Sequence, residues 1–220
     1  MIRSWFGGGR KDPELPVERG PLRCAISGAL EIDTLGLQAS LAAGEPAMGA
    51  PTQASFIVSA IGSAQLDGNS ELTRYYDDDH RMIQVMAAPG GGEETITDVS
   101  LYAPWDSVVP AGGSEWARWT GPRGLIGAPE YDADGIVFTR YWGTGSDHAD
   151  LVEFVETVDD GEVSRQIHQR CMLYSRVVGA GEEMLLLNIE RDLADGAQSQ
   201  GAAISFMIGY GLGAADIRRV

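Results

Sequence analysis

Most of the chain consists of short apolar runs separated by clusters of Gly, Pro, Asp and Asn. The runs at 72–76 and 82–86 flank three consecutive aspartates, Asp77-Asp78-Asp79. Because aspartate tolerates turn geometry and hydrogen-bonds to its own backbone, this pattern predicts a strand, an acidic turn and a second strand. The run at 151–158, in which glutamates alternate with apolar residues, ends at Asp159-Asp160-Gly161 and predicts another hairpin.

The other apolar runs also favour strands over helices. Runs rich in β-branched or other apolar residues occupy 56–61, 95–102, 136–142, 163–178 and 184–189. Helical signals are weak: 114–119 predicts a turn or two of helix with Ser114 as its N-cap, and 214–219 predicts another. Since the strands follow one another too closely for crossover helices, we predict a mostly β, antiparallel fold with short helices, and an α+β fold as the alternative.

The pattern divides the chain into four parts. Residues 1–21 form an irregular leader, because their glycines and prolines leave no helical or strand period. We assign a first β module to residues 22–110, a linker to 111–126 and a second β module to 127–220.

Three pairs of similar segments connect the two predicted modules. In the same order along the chain, Gly49-Ala50-Pro51 resembles 127–129, 72–76 resembles 138–142, and 100–102 resembles 172–174. An old duplication of one β unit and chance similarity among β-rich segments both explain these matches.

The net charge of the chain limits the kinds of partner that its surface can bind. The 220-residue chain contains 32 Asp and Glu residues and 16 Lys and Arg residues, so its formal net charge is −16. A nucleic-acid partner needs a basic surface that displaces counterions from phosphates, so we predict no nucleic-acid binding. The same charge attracts cations, which makes a polyamine or a divalent ion a candidate ligand.

Two features predict a cytoplasmic location. The segment before Gly7-Gly8-Gly9 is too short for the apolar stretch that export requires, and Cys24 and Cys171 lie far apart, as is typical of a reducing compartment. The aromatic pair Trp5-Phe6 beside Arg3 leaves peripheral contact with a membrane as an alternative.

Two acidic turns with histidine are candidate metal or acid–base sites. Asp79-His80 and Asp147-His148 each follow a Thr-Arg-Tyr-aromatic strand pattern, and carboxylates and imidazoles on converging turns can bind a divalent cation. Acidic turns at a solvated sheet edge also prevent edge-to-edge pairing, which is a structural explanation for the same residues.

Arg74 and Arg140 form a second candidate pair. Both lie in aromatic strand segments, and if they point into one cleft they can clamp an anionic ligand through their planar guanidinium groups. In the structural alternative, each forms a salt bridge across its hairpin to a neighbouring aspartate.

No catalytic motif is present. The glycine-rich segment 209–213 lies too close to Val220 for a dinucleotide-binding βαβ unit, and we interpret it as a strand that passes close to another backbone. No Gly-x-Ser-x-Gly elbow occurs, and His168 and Cys171 fall on opposite faces of an extended strand. We predict no cofactor.

Several stretches carry a family resemblance. The opening Met-x-Arg-Ser-Trp-Phe, 28–33, 72–79 with 83–85, and 172–176 are similar to the bacterial YjfK-like family, a domain of unknown function. Members tend to be encoded near phage-shock-protein-A-like coat proteins and small membrane proteins, so the resemblance implies a role in membrane-stress assemblies. It implies no active-site residues.

Three functional hypotheses follow. The first is a non-enzymatic interaction module that binds a protein partner through Trp105, Trp116 and Trp119, which lie in or near the predicted linker. Packing of these rings over an open end of a sheet is the structural alternative. The second is a metal-dependent hydrolase or small-ligand-binding protein with a site in a cleft between the modules. The third is binding of a polyamine on an acidic face.

Overall fold

The computed structural model describes residues 17–49, 51–52, 54–143, 145–195 and 203–220. Most of the predicted leader, including Trp5-Phe6, lies outside the described residues. Within the described part of the chain, no helix has the length and apolar character that crossing a membrane requires.

Strands dominate the structure, which confirms the predicted mostly β, antiparallel class. The strands are β1 Ala29–Ile32, β2 Ala54–Ile57, β3 Ala60–Gln65, β4 Glu71–Tyr76, β5 Met82–Ala87, β6 Ile96–Val108, β7 Glu130–Ala133, β8 Ile136–Arg140, β9 Val152–Asp159, β10 Ser164–Val178, β11 Gly181–Asp192, β12 Ile204–Leu212 and β13 Ile217–Arg219. The helices are α1 Leu35–Leu41 and α2 Gly113–Thr120, and 3-10 turns occupy Glu93–Thr95, Leu193–Asp195 and Ala214–Asp216.

Eight strands close into a barrel. Strands β3 to β6 form one antiparallel meander and β9 to β12 form a second. The two meanders join along two seams, β3 with β9 (Ile61 opposite Asp159) and β6 with β12 (Val108 opposite Ile204). Closure leaves these eight strands without a free edge, which removes the usual route to edge-to-edge aggregation.

Two apolar layers cover the outside of the barrel. On one side, the three-stranded sheet β13-β1-β2 packs against the first meander around Phe56, Tyr75 and Val85. On the other side, α1, α2 and the β7–β8 hairpin pack against the second meander, with Trp116 and Phe206 in the same core. Burial of these apolar side chains is the main stabilising contribution to the fold.

The predicted helices need two corrections. The N-cap of α2 is Gly112, and Ser114 lies inside the helix, where no side-chain capping bond is formed. The predicted helix at 214–219 is a 3-10 turn followed by strand β13, because Ile217 pairs with Ile32 of β1 and extends the outer sheet. Helix α1 carried no recognised signal in the sequence.

The repeated segments do not occupy equivalent positions. Residues 72–76 lie in β4, inside the barrel wall, whereas 138–140 lie in β8, which pairs with the outer hairpin strand β7 and with the end of β10. Equivalence of the two meanders would instead relate β4 to β10. The division into modules 22–110 and 127–220 remains a prediction, and each of these ranges contributes four strands to the one barrel.

Candidate ligand-binding site

The interior of the barrel is polar, although its strands are rich in apolar residues. Alternate residues of each strand point to opposite faces, so the outward set packs under the covering layers and the inward set fills the barrel. The buried inward-facing polar residues are Arg74, Gln84, Ser100, Glu156, Gln169 and Asn188. They come from six different strands, β4, β5, β6, β9, β10 and β11, and the two meanders bring them together only because the barrel closes.

An ion pair lies at the centre of this polar interior. Arg74 Nη1 is 3.0 Å from Glu156 Oε2, and both side chains are at most 2% exposed. Arg74 Nε donates a hydrogen bond to Gln84 Oε1 at 3.1 Å, and its guanidinium lies 5.2 Å from the ring centre of Phe154. Buried charges need this degree of pairing, because an unpaired ion in the interior is strongly destabilising.

Glu156 accepts two further hydrogen bonds. The Tyr76 hydroxyl donates to Oε1 at 2.7 Å, and Gln169 Nε2 donates to Oε2 at 2.8 Å. Burial, and then the Glu156 carboxylate, raise the pKa of Tyr76 well above its usual value, so this phenol stays a donor. Gly62 on β3 makes room for the carboxylate, because a Cβ atom at this position would overlap Glu156 Oε1.

The network continues from Glu156 towards one end of the barrel. Gln169 Nε2 also lies 3.2 Å from Glu190 Oε1, which accepts a second hydrogen bond from Asn188 Nδ2 at 3.0 Å. Since Nε2 faces two carboxylates, the orientation of the Gln169 amide is fixed with Oε1 on the other side. Gln169 Oε1 is buried and accepts no hydrogen bond from the described residues.

A cavity of about 810 Å³ opens above this network at the same end of the barrel. Its floor includes the buried Gln169 and Asn188, the exposed Glu190 lies towards its rim, and its walls include the apolar side chains of Val158, Ile167 and Met207. The volume lies within the range of small-molecule sites, which combine apolar walls with a few fixed polar groups. The cavity is therefore a candidate ligand-binding site.

The rim of the cavity is acidic. Five carboxylates line the cavity, namely those of Asp77, Asp78, Asp106, Asp160 and Glu190, together with His80 and one arginine, Arg165. Asp160 is paired with Arg165 at 2.9 Å, and Asp77 is paired with Arg81 at 2.6 Å. The remaining three form no ion pair with any residue that the structure describes, so the site carries a net negative charge.

The predicted metal residues lie in two different places. The Asp79 side chain is 83% exposed beside Arg81, and His80 lies at the cavity rim. In the other turn, His148 Nε2 lies 3.2 Å from the carbonyl of Gly124, and the Asp147 carbonyl accepts a hydrogen bond from Arg140. Over the described ranges, no three His, Cys, Asp or Glu side chains are grouped so as to hold a metal ion.

The two candidate arginines are both buried and do not form a clamp. Arg74 pairs with Glu156 on a distant strand, and not with a neighbouring aspartate of its hairpin. Arg140 donates to the carbonyls of Gly127, Gly145 and Asp147 at 2.5, 3.1 and 2.8 Å and so fixes the loop after β8. Neither of the two sequence interpretations anticipated these partners.

The predicted interface tryptophans belong to the hydrophobic core. Trp116 is 8% exposed, and Trp105 and Trp119 are partly buried against the same cluster. The ring of Trp119 packs edge-on against Phe206 at a centroid distance of 5.9 Å. The spacing of Trp116 and Trp119 places both on one face of α2, and this helical spacing was the available signal for a core position.

The cysteine and glycine interpretations have different outcomes. Cys171 lies in the barrel interior, where burial raises the pKa of its thiol to about 11, whereas His168 Nε2 is 3.2 Å from Glu153, so the two residues form no dyad. Gly209 lies in strand β12, and its close neighbour is the side-chain ring of Tyr102, not a second backbone.

Sequence reasoning missed the residues of the polar network and of the cavity. Glu156 was noted only as one of the glutamates in the run 151–158, and Gln169, Asn188 and Glu190 carried no assignment. The available signal was polar residues recurring at every second position within strongly apolar strands, as in Gln169-x-Cys171 of β10 and Asn188-x-Glu190 of β11.

The fold and the site together define a mostly antiparallel β protein with a closed barrel and a polar cavity that is open at one end. The chain belongs to a family of proteins of unknown function, DUF2491, whose model matches residues 1–218. The uncharacterized protein YjfK of Escherichia coli (strain K12) is 25% identical over 188 residues, which are 84% of this chain and 84% of the relative. These matches confirm the predicted family resemblance. No solved structure matches the chain.

Proposed function

We propose that this protein is a cytoplasmic, non-enzymatic binding module that holds a small molecule in the barrel cavity. The observation that carries the proposal is the cavity of about 810 Å³ itself, which combines the hydrogen-bonded polar side chains of Gln169, Asn188 and Glu190 with apolar walls. A cavity of this size with apolar walls and a few fixed polar groups is typical of small-molecule sites.

The organisation of the floor supports binding. The hydrogen bonds among Glu156, Gln169, Asn188 and Glu190 fix the polar groups before any molecule enters, and this preorganisation lowers the entropic cost of association. The two buried free cysteines, Cys24 and Cys171, support a reducing compartment.

A protein partner remains a separate expectation from the sequence. Trp116 is buried, and Trp105 and Trp119 are partly buried against the same core, which reduces the surface that these side chains offer to a partner. The proposed function therefore rests on the cavity. A role in membrane-stress assemblies remains an implication of the family resemblance.

The test compares a blocked cavity with an intact one. Ser205 on β12 lines the cavity, so Ser205→Trp fills it, whereas Ser63→Trp adds the same ring to the exposed outer face of β3. Thermal unfolding is followed with a broad panel of metabolite-sized amines, carboxylates and neutral polar compounds. We expect at least one compound to stabilise the wild type and Ser63→Trp but not Ser205→Trp.

Two results would overturn the proposal. One is a panel in which no compound raises the unfolding temperature of the wild type. The other is equal stabilisation of Ser205→Trp and Ser63→Trp, which would place binding outside the barrel.

A further inference from the structure

We propose that the N-terminal basic segment, residues 1–11, binds in the mouth of the barrel cavity of its own chain. This occupant is distinct from the small molecule of the proposed function, and its binding does not depend on that function. Three features support it: the place where the described chain begins, the residues that precede this place, and the side chains that line the opening.

The described chain begins close to the rim of the cavity. Arg19 Nη1 is 2.7 Å from Oδ2 of Asp159, the last residue of β9, and the next residue, Asp160, lines the cavity. The Tyr75 hydroxyl donates to the carbonyl of Arg19 at 3.0 Å, which fixes the backbone at this point. Val17 is the first described residue, so the preceding chain starts within about 7 Å of Arg19.

The segment is long enough to reach the opening. Residues 1–16 lie outside the described residues, and the stretch from Lys11 to Val17 can span up to about 20 Å. A short linker gives a tethered segment an effective concentration of about 1 mM near its anchor. A contact with a dissociation constant of about 1 mM as a free peptide therefore keeps the mouth about half filled.

The composition of the segment is complementary to this opening. It contains Arg3, Arg10 and Lys11, whereas all 32 acidic residues of the chain follow it. It also contains the adjacent aromatic residues Trp5 and Phe6, with Arg3 on one side and Arg10 on the other. A single stretch of the chain therefore combines a large apolar pair with cationic side chains.

The opening offers apolar surface within an acidic rim. Among its lining residues, Pro104 is exposed, and Trp105 and Met207 are only partly buried, so a further aromatic ring can pack against them. Asp78 and Asp106 line the same cavity and form no ion pair with any residue that the structure describes. The apolar lining supplies the contact area, and the rim favours a basic segment over an acidic one.

Coupling with a water-soluble carbodiimide tests the proposal on the full chain. This reagent joins an amine to a carboxylate that is in contact with it, and Lys11 is the only lysine of the chain. After proteolytic digestion, mass spectrometry identifies the carboxylate that is joined to Lys11. We expect this carboxylate to be that of Asp78, Asp106 or Glu190, all of which line the cavity.

Two carboxylates outside the cavity provide the reference. Glu31 and Asp33 lie in or directly after β1 of the outer sheet, and the described chain also begins near this sheet, because Glu18 is paired with Arg219 of β13. We expect coupling to the rim to exceed coupling to these two residues at least fivefold. Equal yields would overturn the proposal in favour of general attraction between a basic segment and an acidic protein.

Variants of the segment test its aromatic pair. Trp5→Ala/Phe6→Ala removes both rings and keeps Lys11, and Ser4→Ala is the control within the same segment. We expect coupling to the rim to fall at least fivefold in the double variant and to be unchanged in Ser4→Ala. Unfolding temperatures show whether each variant is folded. Equal coupling in the two variants would show that the rings do not bind in the mouth, and the proposal would be wrong.

Two further comparisons separate the outcomes. With a mixture of isotopically labelled and unlabelled protein, coupled peptides of mixed label would place the segment in the mouth of a second copy and overturn binding within one chain. Coupling to the rim, in a protein that no compound of the panel stabilises, leaves this inference standing and overturns the small-molecule function. A stabilising compound without coupling to the rim has the opposite meaning.

Discussion

The Arg74–Glu156 pair illustrates how single residues determine this interior. Removing both charges from water is costly, and the structure offsets this cost with hydrogen bonds from Tyr76 and Gln169 to the carboxylate and from Arg74 to Gln84. Geometry is as important as charge here. The carboxylate reaches its position only because residue 62 has no side chain.

We therefore expect Gly62→Ala to lower the free energy of unfolding by about 3 kcal/mol, because the added methyl group displaces the Glu156 carboxylate from Arg74. Urea unfolding followed by circular dichroism measures the change. Gly68→Ala is the matched control: nothing lies within 4 Å of its added Cβ atom, and we expect an effect below about 0.5 kcal/mol. Equal stability of the two variants would show that the ion pair tolerates displacement.

At the residue scale, sequence reasoning identified the chemistry of side chains but not their partners. It singled out Arg74 and offered an anionic ligand or a nearby aspartate, whereas the partner is Glu156, on a strand 82 positions away. The partner depends on the pairing of β3 with β9, and no local pattern in either strand encodes that pairing. Similarly, period-two alternation in β9 is the same whether Glu156 faces water or the interior of a barrel.

Strand β12 shows how one element depends on a neighbouring one. It joins the two meanders by pairing with β11 on one side and β6 on the other. Gly209 is opposite Tyr102 of β6 in this pairing, and the Tyr102 ring lies over the Gly209 backbone. The ring therefore occupies the interior space that a side chain at position 209 would take.

Two glycines of this strand provide a comparison at the element scale. We expect Gly209→Ala to destabilise the protein by about 2 kcal/mol, because the methyl group overlaps the Tyr102 ring and the core is overpacked. Gly211→Ala meets nothing within 4 Å and should change stability by less than about 0.5 kcal/mol. Denaturant midpoints of the two variants, compared with the wild type, measure the difference. Equal effects would mean that strand propensity, and not the ring, requires glycine.

Elements with local turn signals were the predictable ones. The strands on either side of Asp77–Asp79 were predicted and are β4 and β5, and the Asp134-Gly135 turn joins β7 and β8 with both residues at positive φ, 53° and 89°. Helix α1 was not predicted, because its segment contains glycine and serine and has no side-chain N-cap bond. Its position depends on packing against the barrel, with Leu41 buried in the core.

On the scale of the whole molecule, closure of the barrel could not be predicted from local sequence patterns. The hairpins follow from turn chemistry, but the β3–β9 and β6–β12 seams join strands that are distant in sequence. Closure creates the cavity, since Glu190 of β11, Asp106 of β6 and Asp78 of the β4–β5 turn reach one rim only in a closed sheet. The net charge of −16 predicted an attraction for cations in general, and the fold concentrates part of that charge at one opening.

The whole molecule should also lose stability at alkaline pH. Burial raises the pKa of the Cys171 thiol from 9.0 to about 11 and that of Tyr131 from 10.0 to about 12. Burial likewise raises the pKa values of the other buried phenols, which are those of Tyr75, Tyr76, Tyr102, Tyr174 and Tyr210. The unfolded chain therefore releases these protons at lower pH than the folded chain, and the free energy of unfolding falls as pH rises.

The expected profile is flat between about pH 7 and 8 and falls from about pH 9 upward, with Cys171 alone contributing a loss of about 2 to 3 kcal/mol once its folded pKa is exceeded. Urea titrations at half-unit pH steps measure the profile. Cys171→Ala separates the thiol from the phenols and from general charge repulsion: its own stability is expected to be lower, but its decline between pH 9 and 10 should be shallower than that of the wild type. Parallel declines in the two proteins would show that the Cys171 thiol reaches water in the folded state, and the polar interior of the barrel would then have to be hydrated at the level of Cys171.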